Sequence, residues 1–170
     1  MNSTYSRGEI TEIYHRNVDS VYRICFLYMK NKADSQDMTQ NVFMKLIERA
    51  QTNHAEAKGT GVFESREHET AWLIRTAVNL CKNSLKSLWR RQVSFEELID
   101  SPGGEIKEPD ETLPKLMKLP AKLKTALYLH YYEGYPTAEI AKMMGKTEIN
   151  VRGYLHRGRK ALKKELEENS

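Results

Sequence analysis

The sequence predicts an all-α protein: a three-helix N-terminal domain and a C-terminal helix–turn–helix domain, joined by an acidic linker. Three observations predict it. Apolar residues recur at steps of three and four along most of the chain. No run alternates with period two over a useful length. The stretch "SPGGEIKEPDET" has the Pro, Gly and acid content of a linker. Charge divides the chain the same way. Residues 1–91 carry 14 Lys and Arg against 10 acids, residues 92–113 one lysine against 7 acids, and residues 114–170 12 Lys and Arg against 6 acids. These are the expected boundaries. The basic ends suit polyanion partners.

The first helix is expected over about residues 6–30, with Ile10, Ile13, Tyr14, Val18, Val21, Tyr22, Cys25 and Tyr28 on one stripe. "NKAD" breaks it, with Asp34 as N-cap and Asp37 as the acid of a capping box. The second helix then runs to about Ala50, with Met38, Val42, Phe43, Leu46 and Ile47 inward. Gln51 to Arg66 is polar, holds Gly59 and Gly61, and reads as a loop. The third helix carries the stripe Leu73, Ala77, Leu80, Ser84 and Leu88, widened by Cys81 and Leu85. Its other side carries Arg75, Asn79, Lys82, Lys86 and Arg90, and no Asp or Glu occurs from Thr70 to Phe95. A solvated helix gains from mixed charges, so a cation-and-amide face suggests a polyanion.

After Pro114 come a basic turn, an apolar helix closed by Gly134, a short helix beginning at Pro136 and stopped by Gly145, and a last helix capped by Thr147. Ile140, Ala141 and Met144, then Gly145, then Val151 and Leu155 have the spacing of a helix–turn–helix. The outer side of the last helix carries Arg152, Tyr154, His156, Arg157, Arg159, Lys160, Lys163 and Lys164, and no acid occurs from Asn150 to Lys164. Such a helix suits a major groove. A plain αα-hairpin with a charged solvent face has the same spacing; the acid-free run favours DNA.

With these motifs in order, the chain resembles the sigma-70 family of bacterial sigma factors, in its extracytoplasmic-function group. "DSQDMTQNVFMKLIE" resembles the helix that docks on the polymerase clamp. "AWLIRTAVNLCKNSLKSLWRR" resembles the −10 reading helix, and "LPAKLKTALYLHYYEGYPTAEIAKMMGKTEINVRGYLHRGRKAL" the −35 reading domain. The resemblance implies core RNA polymerase (β′ clamp and β flap) and promoter DNA as partners, with an anti-sigma factor besides. It implies polymerase contacts at Asp37, Gln40, Asn41 and Phe43. It implies −10 contacts at Arg75, Asn79, Lys82, Asn83, Lys86 and Arg90, and −35 contacts at Thr147, Glu148, Arg152, Tyr154, His156, Arg157, Arg159 and Lys163. The loop from Gln51 to Arg66 would hold a flipped −10 base, and the acidic linker would thread the polymerase cleft. The sequence departs from the family at Asn41 and Asn83, where acids are frequent. Pro136 stands where Ser or Thr usually caps, and Ile149 and Asn150 where a small residue and Thr are usual.

Other classes fit less well. A stand-alone DNA-binding regulator leaves the third helix's basic face without a use. A nuclease wants clustered carboxylates on metal, and the only His–carboxylate cluster, Glu67 to Glu69, suits a helix N-terminus. No cofactor, metal, small-molecule substrate or enzymatic activity is expected. The N-terminus lacks a signal peptide's apolar core and no window approaches 18 apolar residues, so a cytoplasmic protein without direct membrane insertion is expected. Cys25 and Cys81 are expected as buried thiols, and Trp72 in the core.

Overall fold

The computed structural model describes residues 7–52, 63–90 and 112–168, and every regular element among them is helical. In order these are α1 (Arg7–Met29), α2 (Lys32–Thr52), α3 (Arg66–Arg90), α4 (Thr112–Leu116), α5 (Ala121–Leu127), α6 (Thr137–Met144) and α7 (Glu148–Glu168). A π-helical turn, Tyr128–Tyr132, prolongs α5.

Helices α1, α2 and α3 pack mutually. Their core is Ile13, Val21, Ile24, Cys25, Val42, Leu46, Leu73, Ile74, Ala77, Val78 and Cys81. The inward stripe of α3 is therefore turned from the one expected: Ile74 and Val78 are fully buried, while Leu80 and Ser84 are half-buried. Cys25 and Cys81 are buried free thiols in contact across α1 and α3. Lys30, at φ 63°, ends α1 in the left-handed region. The cap of α2 is Asn31 rather than Asp34: Asn31 Oδ1 accepts the Asp34 N–H at 2.8 Å, and Asn31 Nδ2 donates to Asp34 Oδ2 at 2.7 Å. Asp34 therefore takes the third-position role given to Asp37.

The turn that α3 makes on α1 is fixed at its start. Glu69 is only 6% exposed. Arg16 Nη2 donates to its Oε2 at 2.9 Å and Asn17 Nδ2 to its Oε1 at 2.8 Å. Thr70 Oγ1 donates to Asn17 Oδ1 at 2.8 Å. Each buried polar atom thus meets its complement, so the network holds the helices without stranding a charge.

In the C-terminal half, α5 packs against α7 so closely that a Cβ on Gly158 would lie 2.9 Å from Leu127 Cδ1. Gly145, at φ 65°, ends α6, and the Lys146 N–H reaches back to the Ala141 carbonyl at 2.9 Å. Thr147 caps α7 by accepting the Asn150 N–H at 3.2 Å. The π turn interrupts a helix that the sequence reads as regular, and Gly134 follows it at φ 76°.

The two halves also touch. Helix α6 packs on α3, and α5 on the end of α1. This seam is poorly matched. Lys124 is 1% exposed. Burial, then the nearby Lys30 charge, pushes it down to about 7. The buried Tyr28 and Thr125 hydroxyls face each other there without a well-formed hydrogen bond among the described residues.

Both the network and the seam can be tested through stability. Glu69→Ala leaves one N–H of buried Asn17 and the facing side of Arg16 without their acceptor and should cost about 2–3 kcal/mol in urea unfolding, while Glu69→Gln should cost less, because its amide oxygen still accepts from Asn17. Lys124 holds its proton less tightly folded than unfolded, where its ordinary value is 10.5. Its penalty is therefore full below about pH 7 and shrinks as pH rises towards 10.5. Lys124→Met should raise the melting temperature at pH 6.5 and raise it less at pH 9.

Candidate nucleic-acid and polymerase interfaces

The α2 surface comes first. Asp37, Gln40 and Asn41 are exposed on the side of α2 away from Val42 and Leu46, forming a polar patch. Phe43 is inward, as the α2 stripe predicts, rather than beside these three on the surface. It is 8% exposed and its ring meets Tyr14 edge-on at 4.8 Å. Its place in the core stripe of α2 turns it inward, so it supports the patch from beneath. Met44, 57% exposed, stands at the surface instead.

On α3, Arg75, Asn79, Asn83 and Lys86 are exposed, as the acid-free run suggests. The Arg90 side chain lies outside those described. Trp72 is half-buried rather than in the core. The Arg49 guanidinium lies 5.2 Å from the ring centres of both Trp72 and Phe63, clasping the start of α3 to the end of α2. Beside it runs an open cleft of about 450 Å³ lined by Lys45, Glu48, Arg49, Trp72, Thr76, Asn79 and Leu80. An aromatic wall, cations and an amide suit a base and its phosphate. Most of the loop expected to hold a flipped base, residues 53–62, lies outside the described residues.

Lys82 is the exception on this face. It is half-buried, and its Nζ donates to the Met144 carbonyl at 2.9 Å, at the end of α6. Burial lowers its proton affinity, followed by the charges of Lys146, Lys122 and Lys86. Cations from both halves thus crowd one seam. Arg75 lines the adjoining cleft of about 580 Å³ with Glu67, Trp72, Tyr135, Glu139 and Met143.

On α7 the exposed side holds Ile149, Asn150, Arg152, His156, Arg157, Lys160, Lys163 and Lys164. Arg152 Nη2 donates to Glu148 Oε1 at 3.0 Å, and Thr137 Oγ1 donates to the same oxygen at 2.8 Å. The Thr137 bond and then the Arg152 charge hold the Glu148 carboxyl below its usual range. Glu148 therefore ties the two helices of the motif and aims Arg152. Tyr154 differs from expectation. It is 7% exposed, with the Arg157 guanidinium 5.4 Å from its ring centre. It lies on the inner flank with Val151 and Gly158, and supports Arg157 from below. Arg159 and Lys163 border an apolar groove of about 450 Å³ with Leu116, Leu127, Tyr131, Tyr132, Leu162 and Leu166. Arg159 Nη1 also donates to Tyr131 Oη at 3.2 Å. The sequence reading missed this groove, because the π turn that swings Tyr131 and Tyr132 outward leaves no mark in the apolar spacing.

Among the described residues no group of three or more His, Cys, Asp or Glu is placed to hold a metal ion, and no helix is long and apolar enough to cross a membrane.

Breaking the Glu148 tie gives a direct check on the recognition surface. Glu148→Ala frees both Thr137 and Arg152. It should leave the helix content of the protein unchanged and weaken binding to duplex DNA, read by fluorescence anisotropy with core polymerase present.

Comparison with known proteins agrees with this geometry. Residues 13–91 match the family model for sigma-70 region 2, and residues 115–162 that for sigma-70 region 4. The chain is 26% identical to the ECF RNA polymerase sigma factor BldN of Streptomyces coelicolor, over 93% of this chain and 60% of that protein. It is 26% identical to SigE of Mycolicibacterium smegmatis, over 94% and 62%. It is 23% identical to SigW of Bacillus subtilis, over 94% and 88%. The chain thus spans about three fifths of the length of the first two. Its fold is similar to the sigma factor RpoE of Bartonella quintana, solved with the anti-sigma factor NepR (TM-score 0.62, 17% identity, 92% of this chain and 96% of that one). It is also similar to CnrH, solved with the cytosolic domain of CnrY (0.65, 18%, 99% and 94%).

Proposed function

Because the chain belongs to the sigma-70 family, in its extracytoplasmic-function group, we propose that it is a cytoplasmic, non-enzymatic sigma factor. It binds core RNA polymerase, reads −35 and −10 elements, and promotes melting. One observation carries this reading: two acid-free faces, on α3 and α7, stand on separate helices of one chain beside a polar patch on α2. Asp37, Gln40 and Asn41 meet the clamp. Arg75, Asn79, Asn83 and Lys86, with the Trp72 cleft, hold the melted −10 strand: cations take the backbone, while amides and the aromatic ring take exposed bases. Arg152 and His156 face −35 base edges, and Arg157 takes phosphate. Lys163 lies roughly 24 Å along α7 from Thr147. Together with Arg159 it flanks the apolar groove, which seats the β flap. Lys163 therefore has a smaller part in DNA binding than the sequence suggests. An anti-sigma factor completes the partners.

Promoter reading requires the two halves to part. The −35 and −10 elements lie about 25 base pairs apart, roughly 85 Å at 3.4 Å per base pair. Yet Lys82 of α3 and Met144 of α6 are hydrogen-bonded at 2.9 Å. The residues between α3 and α4 can span at most roughly 70–80 Å, and the lengths of α3 and α7, roughly 38 and 32 Å at 1.5 Å per residue, cover the remainder. The buried Lys124 and the crowded lysines favour it.

A stand-alone regulator would need only α7. In-vitro transcription with core polymerase and a promoter library separates the two readings. The sigma reading expects core-dependent initiation at promoters sharing two elements. Asn79→Ala should lower permanganate reactivity of −10 thymines more than closed-complex binding. Asp37→Ala with Gln40→Ala should weaken core binding while helix content stays constant. Duplex binding that is indifferent to core, with no initiation, contradicts the proposal.

A further inference from the structure

Helix α7 holds two glycines in its interior. Glycine there costs helix stability, so each needs a reason. Gly158 has one in packing, since a Cβ would press on Leu127 at 2.9 Å. Gly153 has none. A Cβ there would meet only the tip of the Arg157 side chain, at 3.8 Å. Gly153 lies one turn after Ile149, and Arg157 one turn further. Ile149 is 80% exposed, more than any other large apolar residue among those described. It lies in the first turn of α7, beside exposed Asn150 and above the tie that holds Glu148 and Arg152. No described residue covers it. An isolated exposed isoleucine is ordinary on most surfaces, but this one sits where a recognition helix first meets base edges.

We propose that Ile149 reads a thymine methyl in the −35 element, and that Gly153 is the gap that lets α7 approach closely enough for it to do so. The inference rests on the sigma-factor reading and extends it to two residues. A thymine presents its methyl to the major groove, the one apolar mark on a base edge, and an apolar side chain is its complement. Ile149 supplies that side chain, and Arg152 and His156 flank the site with polar contacts. A side chain at position 153 would stand between the helix and the DNA, holding Ile149 off its target.

The test uses the full chain with core polymerase and a −35 library in which each thymine is also replaced by deoxyuridine, which removes only the methyl. The parent protein should lose about tenfold in initiation at one thymine position on deoxyuridine replacement. Ile149→Ala should lose the same amount with thymine present and show no further loss with deoxyuridine. Gly153→Ala should melt roughly 1–3 °C higher than the parent, yet initiate less from promoters that depend on the −35 element. Gly158→Ala should melt lower. The proposal is overturned if Ile149→Ala keeps the parent's response to the methyl, or if Gly153→Ala initiates as well as the parent. A parent protein without core-dependent initiation overturns the sigma-factor reading, and this inference with it.

Discussion

The buried carboxylate of Glu69 sets the rotation of α3, and with it the surface that α3 presents. Two helices can pack at many rotations, and an apolar stripe as broad as that of α3 tolerates several. The Arg16, Asn17, Glu69 and Thr70 network tolerates one. With Glu69 held inward, Leu73, Ile74, Ala77, Val78 and Cys81 come at helical spacing on the same side. Arg75, Asn79, Asn83 and Lys86 are carried to the other. The surface offered to nucleic acid is therefore set by a polar contact a full turn before its first cation.

That surface has two claimants. In the structure α6 takes only its edge, where Lys82 is hydrogen-bonded to the Met144 carbonyl, while Arg75, Asn79, Asn83 and Lys86 stay exposed. On a promoter the surface would hold a melted strand. The contact is suited to being given up. It buries Lys124 beside a like charge, leaves two hydroxyls without well-formed partners among the described residues, and gathers Lys82, Lys86, Lys122 and Lys146. A phosphate backbone relieves such crowding, whereas a second protein surface of the same sign does not. The helix–turn–helix itself is not loosened by this arrangement, because Gly145, Thr147 and Glu148 hold it from within.

Much of this was legible in the sequence, for physical reasons. Helix periods are local, so α1, α2, α6 and α7 could be read from spacing, and the Gly145 stop and Thr147 cap from chemistry tied to backbone angles. Acid-free runs are visible without coordinates, and they led to the exposed face of α3. The misreadings share a cause. Tyr154 lies on the border between stripe and surface, where a rotation of some tens of degrees decides exposure. The packing of α7 on α5 and α6 sets that rotation. Glu69 was read as a dipole acid because its partners lie more than fifty residues away. The cap shifted from Asp34 to Asn31 because both residues suit the place and only the left-handed Lys30 decides. The π turn and its groove depend on a change of hydrogen-bond register that residue spacing does not encode.

The parting of α6 from α3 is a claim about distance. Spin labels on exposed Gln36 of α2 and Glu167 of α7 would report it by pulsed dipolar spectroscopy, with Cys25 and Cys81 buried from the reagent. The free protein should give one short, narrow distance set by the packed halves. The complex with core polymerase and promoter should give a distance longer by tens of Å, on the order of the spacing of the two elements. The same distance in both states would contradict the account, because α6 would then still hold Lys82, at the edge of the face assigned to the −10 strand.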